Sequence, residues 1–166
     1  MLWIIDGYNF IRGARRFADL EARQPAEGRR QALEWLGRFA QVTGEQVWVV
    51  MDAYSGLHAE MLAAERGGIR ILSSRGAYTA DEEIAELAKQ HGAAALVVSS
   101  DKAVQRAAVK AGALIIASDE FEREVAKILE RDLEAEAGAE AGRQAGNAFQ
   151  PPKEKKKAMA RLRKYQ

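Results

Sequence analysis

Cysteine is missing altogether from the 166 residues. Its absence excludes disulfides, thiolate nucleophiles and Cys-based zinc sites, and it fits a reducing, cytoplasmic setting. Long apolar runs are missing too: nowhere do about 18 apolar residues follow one another, the length that a membrane-spanning helix needs. The opening run, Leu2-Trp3-Ile4-Ile5, is short and has no basic segment before it, unlike a secretory leader. The expectation is a soluble, unexported protein with no membrane partner. No internal repeat is visible. Net charge is nearly absent as well, at +1, but it is unevenly spread.

Residues 151–166 hold Lys153, Lys155, Lys156, Lys157, Arg161, Arg163 and Lys164 against Glu154 alone, a balance of +6 that leaves −5 on residues 1–150. A mildly acidic body with a strongly basic tail suits a protein that approaches a polyanion. A solubilising terminus is the plain alternative. The hydrophobic fraction of 48% excludes a mostly disordered chain, and the length suits one domain with a sizeable core.

Short apolar runs recur at Leu2–Ile5, Val47–Met51, Ile69–Leu72, Ala94–Val98 and Ala113–Ala117. Each is too short for a helix and none alternates strictly with polar residues, so they read as strands buried on both faces. Helical patterns lie between them. Pro25–Thr43 puts Leu33, Leu36, Phe39 and Ala40 on one stripe and stops at Gly44. Leu57–Arg66 ends at Gly67-Gly68. Thr79-Ala80-Asp81-Glu82 is a capping box that opens a helix with Ile84, Leu87 and Ala88 inward. Lys102–Lys110 ends at Gly112, and Ser118 caps a longer helix through about Glu136. Strand and helix alternate five times, which predicts a three-layer α/β/α domain around a central parallel sheet of about five strands. The domain spans residues 1–136, an Ala/Gly-rich linker 137–152, and the basic tail 153–166.

In open parallel sheets ligands bind beyond the carboxyl ends of the strands. Asp6 follows the first strand at once, Asp52 the second and Asp101 the fourth, while Asp81 stands in the first turn of the capped helix. Singly, each has a structural explanation: a first-turn acid for Asp81, a cap for Asp101 beside Ser99 and Ser100, a turn former for Asp52. Together they predict four carboxylates on one edge of the sheet. Such groups repel, and at neutral pH they take up protons or hold cations. Oxygen-only donors favour Mg²⁺ or Mn²⁺. With a divalent metal and no evident protein nucleophile, the cluster suits phosphodiester hydrolysis by a metal-activated water. Neither His58 nor His91 lies in a nucleophile or metal motif, which disfavours a histidine-based ribonuclease.

These junctions carry a family resemblance. Asp6-Gly7-Tyr8-Asn9, Asp52 after VWVVM, the Thr79-Ala80-Asp81-Glu82 helix start and Ser99-Ser100-Asp101 together resemble the NYN branch of the PIN-like nucleases, specifically its YacP-like bacterial subgroup, over roughly residues 1–135. The resemblance implies a PIN-like sheet and a metal-dependent endoribonuclease that leaves a 5′-phosphate and a 3′-hydroxyl. It implies Asp6, Asp81 and Asp101 as metal ligands, Asp52 as a ligand or a supporting acid, and Asn9 as a residue that orients substrate or a ligand. Many NYN proteins have another acid two residues after the last Asp, where this chain has Ala103, which points to one tight metal rather than two. Glu82 is expected in the capping box and Glu83 on the surface.

Arg12, Arg15, Arg16 and Lys102 are candidates to hold flanking phosphates, with Arg29 and Arg30 behind them. Tyr8 and Tyr54 follow acids at strand ends and can stack bases, or in the case of Tyr8 pack at the rim. Gly7 is expected to let the chain pass close to a bound ion or phosphate. The expected partner, implied by the resemblance, is RNA, single-stranded and of mRNA type, and the alternative is a non-catalytic adaptor that binds RNA or the ribosome. A receiver domain is disfavoured because Asp6 lacks an acidic neighbour and the last strand ends without Lys. A haloacid-dehalogenase-like phosphatase is disfavoured because Tyr8 stands where a second Asp is needed.

Overall fold

Asp6 terminates a strand whose five residues, Leu2–Asp6 (β1), are all buried, and that strand lies at the centre of the sheet. The computed structural model describes residues 1–52, 65, 66, 68–74 and 79–144. Within them, β1 is followed by β2 (Gln46–Met51), β3 (Glu65–Arg66), β4 (Ile69–Ser73), β5 (Ala95–Val98) and β6 (Leu114–Ile116). The sheet order is β3-β4-β2-β1-β5-β6. Five of the strands run parallel, as expected, and the short β3 adds an antiparallel edge beside β4.

Helices cover both faces. On one side lie α1 (Gly7–Gly13), α2 (Arg15–Arg23), α3 (Pro25–Thr43) and α6 (Ser118–Gln144), and on the other α4 (Ala80–His91) and α5 (Lys102–Lys110). The α3 stripe is buried as its 3.6-residue spacing demands, and Gly44 ends the helix at φ +71°. Trp3 anchors the first core, edge-on to Phe39 and tilted against Phe121, each at 5.4 Å. Phe10 stacks on Trp35 and meets Phe17 and Phe121. The second core is smaller and aliphatic, built on Leu2, Ile4, Val97, Ile84 and Val104.

Three features depart from the sequence reading. The chain between β1 and Pro25 forms two short helices, α1 and α2, that were not anticipated; α2 buries only Phe17. Glu65 and Arg66, expected at the end of a helix, lie in β3, and the rest of that helix, with Tyr54 and His58, lies outside the described residues. Finally, α6 continues to Gln144, since Ala, Glu, Gln and Arg are strong helix formers and isolated glycines cost only about 1 kcal/mol each. No helix among the described residues is long and apolar enough to cross a membrane.

Gly7 has a packing role. A Cβ there would fall 2.0 Å from Met51 Sδ and 2.8 Å from the Val50 carbonyl oxygen, so the close approach that requires glycine is to β2. Phe121, fully buried against Trp3, Phe10 and Phe39, joins α6 to the sheet. Phe121→Ala is therefore expected to lower stability by about 3–5 kcal/mol, read as a reduced denaturant midpoint with an unchanged m value.

Candidate active site

Strand pleat decides where the acids point. Along β1, Trp3 and Ile5 enter the α3/α6 core while Leu2 and Ile4 enter the α4/α5 core. Asp6 continues the second set, and Asp52 and Asp101 extend the alternation of Val50 and Val97, which also belong to the α4/α5 core. Register then sets their heights. Asp6 pairs with Val50, and Ile5 with Val98, so Ser99 lies level with Asp6 while Asp52 and Asp101 each stand two residues beyond it.

The deepest acid is held by a hydroxyl. Asp6 is only 6% exposed, and the fully buried Ser99 donates its Oγ–H to Asp6 Oδ2 at 2.8 Å. The Asn9 backbone N–H donates to Asp6 Oδ1 at 3.2 Å, which makes Asp6 the N-cap of α1. Ser99 Oγ also accepts the Asp101 N–H at 3.1 Å, so one hydroxyl links the two acids. The buried Gln105 steadies that hydroxyl from behind, its Nε2 donating to the Ser99 carbonyl oxygen at 2.7 Å.

The other acids also meet helix N-termini. Asp101 Oδ1 accepts the Ala103 and Val104 N–H groups at 2.6 and 3.3 Å at the start of α5. Asp52 Oδ1 reaches across to the Ala80 N–H of α4 at 3.1 Å. Asp81 sits in the first turn of α4, behind the capping box, in which the Thr79 N–H donates to Glu82 Oε2 at 2.9 Å. Glu82 is thus engaged as expected, and Glu83 is partly covered rather than fully exposed.

Crowding shows in the proton affinities. Burial raises the Asp6 carboxyl above its ordinary range, the bonds from Ser99 and Asn9 pull it back, and the charges of Asp81 and Asp101 push it up again. Asp81 is raised by burial first, then by Asp101, Asp52 and Glu82. Asp81 thus feels the charges of Asp101 and Asp52, and Asp6 those of Asp81 and Asp101, at one edge of the sheet. Among the described residues no three His, Asp or Glu side chains form a ready-made cation cage. Their donor chemistry nevertheless fits a hard cation: an ionised carboxylate offers about four acceptor positions, and only two on Asp6, two on Asp101 and one on Asp52 meet described donors. Residue 103, where a further acid was sought, contributes its backbone N–H to Asp101.

Asn9 clasps two junctions together. Its Oδ1 accepts the Ser100 N–H at 2.7 Å and the Ser118 Oγ–H at 2.8 Å, while the Ser118 N–H donates to Ser100 Oγ at 3.0 Å. Ser118 is the first residue of α6, and its hydroxyl serves this clasp instead of a cap. The candidate cations make contacts of their own. Arg12 covers the Tyr8 ring at 4.9 Å and approaches Glu21 at 4.0 Å, and Tyr8 packs against the α3/α6 core. The backbone N–H groups of Arg15 and Arg16 donate to the Glu122 carboxylate, Lys102 Nζ donates to Gln105 Oε1, and Arg30 is paired with Glu27 and Glu34. His91 packs edge-on to Trp48.

Sequence reasoning placed Ser99 in a motif and Ser118 at a helix start without giving either a bond to the site, and it missed Gln105, whose trace is a polar residue beside Val104 on the buried stripe of α5. Ser99→Ala tests the arrangement. A raised carboxyl loses stability as pH climbs from its ordinary value of 3.8 through its folded value. Removing the Ser99 donor raises Asp6 further, so the variant is expected to be less stable by about 1–3 kcal/mol near neutral pH, with the gap shrinking as the pH is lowered. Denaturant titrations at several pH values measure it, and a gap that widens in acid would contradict it.

Known proteins share this architecture. A model of the YacP-like NYN domain matches residues 3–164. Protein YacP of Bacillus subtilis (strain 168), named as uncharacterized, is 32% identical over 133 residues, which cover 77% of this chain and 76% of that one. The crystal structure of Rae1 (YacP) from Bacillus subtilis superposes with a TM-score of 0.74 at 28% identity, over 88% of this chain and 85% of that one. A variant of the same protein gives 0.67 at 24% identity, over 95% and 90%, a likeness of fold. With a family match over nearly the whole length and the acids at four successive junctions, the chain belongs to the YacP-like NYN domain family.

Proposed function

We propose that this chain is a metal-dependent endoribonuclease that cleaves single-stranded RNA, of mRNA type, to leave a 5′-phosphate and a 3′-hydroxyl. NYN domains belong to a nuclease superfamily, which supports a hydrolase acting on RNA. The observation that carries the finer reading is geometric: Asp6 and Asp101 share the Ser99 hydroxyl, and Asp52 bonds the first turn of α4, where Asp81 stands. Mg²⁺ or Mn²⁺ would be held by Asp6, Asp81 and Asp101, with Asp52 beside them. Bound there, the ion supplies a water of lowered pKa and positive charge for the scissile phosphate.

The chain's own groups do the rest. Ser99 keeps Asp6 and Asp101 at a fixed separation, and the N-termini of α1, α4 and α5 place positive dipole ends behind the carboxylates. Asn9 holds the β5–α5 and β6–α6 junctions against α1, which closes the pocket on that side. The basic tail raises affinity for RNA without reading its sequence, in a salt-dependent manner. Alanine at position 103 and the open grouping of the acids favour a second reading, a non-catalytic adaptor for RNA or the ribosome.

Asp6→Asn and Asp101→Asn are each expected to abolish cleavage of single-stranded RNA in Mg²⁺ or Mn²⁺ while circular dichroism remains that of the folded protein. Cleavage undiminished in both variants would end the nuclease reading. Metal-independent binding without any cleavage by the parent chain would select the adaptor.

A further inference from the structure

Away from the acids, α2 and α3 enclose a groove of about 390 Å³ whose lining includes Arg16, Arg30, Gln31, Glu34, Trp35 and Arg38. Its floor is aromatic. Trp35 stacks on Phe10 at 5.9 Å, meets Phe17 edge-on at 5.7 Å and Phe121 at 6.4 Å, yet it remains partly exposed. A ring braced on three sides has little rotamer freedom left to lose when a flat ligand covers it. Its rim is cationic. The Arg30 charge is spent on Glu27 and Glu34, the latter at 2.6 Å. Arg38 has only a loose, exposed approach to Glu136 at 3.8 Å, and the Arg16 side chain makes no hydrogen bond or ion pair among the described residues.

The groove is tied to the acid pocket through α6. Glu122 receives the backbone N–H groups of Arg15 and Arg16 at 3.0 and 3.1 Å, and it lies about one helical turn beyond Ser118, which bonds Asn9. A Cβ at Gly13 would come within 3.4 Å of the Ser118 Cβ along the same seam. Segment 12–38 carries seven arginines and no lysine, and the first lysine of the chain is Lys89. The planar guanidinium both forks onto phosphate and stacks on bases, which the ammonium does not.

We propose that this groove is a second nucleic-acid subsite, where one unpaired base of a single-stranded RNA stacks on Trp35 while Arg16 and Arg38 take the adjoining phosphates. RNA as the ligand rests on the nuclease reading. A fixed indole face between two available guanidinium groups matches the alternation of base and phosphate. An acidic peptide would meet the arginines and leave the ring uncovered. The chain's own tail, at +6, would be repelled.

The test is equilibrium binding of the full chain to a short fluorescent single-stranded RNA in EDTA, where nothing is cut. Arg16→Ala/Arg38→Ala should weaken binding and reduce the log–log salt slope by about 1.4, since each phosphate of a single strand that is no longer neutralised lowers it by roughly 0.7. Lys110→Ala, on the opposite layer, should match the parent. Trp35→Leu should bind roughly 5- to 150-fold more weakly, and Trp35→Tyr should restore most of the loss. Because Trp35 also supports the core, the exposed arginine pair decides the matter if the leucine variant fails to fold. Parent binding with an unchanged affinity and slope in the arginine variant would overturn the groove and leave the nuclease reading standing. Failure of the parent to bind RNA at all would overturn both. Equal binding of polyglutamate, dependent on the arginines and indifferent to Trp35, would overturn the RNA assignment.

Discussion

A carboxylate buried at the tip of the central strand has to be compensated, because an ionised oxygen removed from water without donors costs several kcal/mol. The hydroxyl of Ser99 meets that requirement for Asp6, at 2.8 Å and out of contact with solvent. Since the same oxygen accepts the Asp101 N–H, the solvation of one acid and the placement of another depend on a single atom. Gln105 fixes the peptide that carries it. The α5 helix, the β5–α5 turn and the tip of β1 are in this way one unit, and the pocket inherits its dimensions from that unit.

The sheet makes this economical. In a parallel sheet every strand delivers its carboxyl end to the same edge, and the pleat sends alternate residues to the same face. Asp6 ends β1, and Asp52 and Asp101 follow β2 and β5 at that same edge, near α4 and α5. Helix N-termini offset part of their repulsion, and the remainder persists as raised proton affinity at Asp6 and Asp81. The α2–α3 face has the opposite character, with guanidinium groups around an aromatic floor.

Much of this was legible before the structure. The five parallel strands fall within a residue or two of the apolar runs that announced them, α3 ends at Gly44, and the capping box at Thr79 is formed. Apolar periodicity and capping are local properties, and local properties are written in local sequence. What stayed hidden is what depends on residues far apart in the chain. Asp6 and Ser99 are 93 positions apart and Asn9 and Ser118 109, and nothing near either serine names its distant partner. The helices α1 and α2 escaped notice because they hold on to α3 and α6 through a few residues such as Phe10 and Phe17. Gly7 was correctly marked as special, but its reason lies across the sheet, in Met51.

Among the described residues the two borders of the sheet are also its shortest strands. β3 has two residues and β6 three, although β6 reads Leu-Ile-Ile and its neighbours in the sheet's interior are four to six residues long. An exposed apolar strand of ordinary length would offer its free N–H and C=O groups as a template for another chain. Three residues supply too few of them to hold a partner. The fold therefore guards itself against edge-to-edge aggregation by brevity, which lets the interior strands remain as apolar as a twice-covered sheet requires.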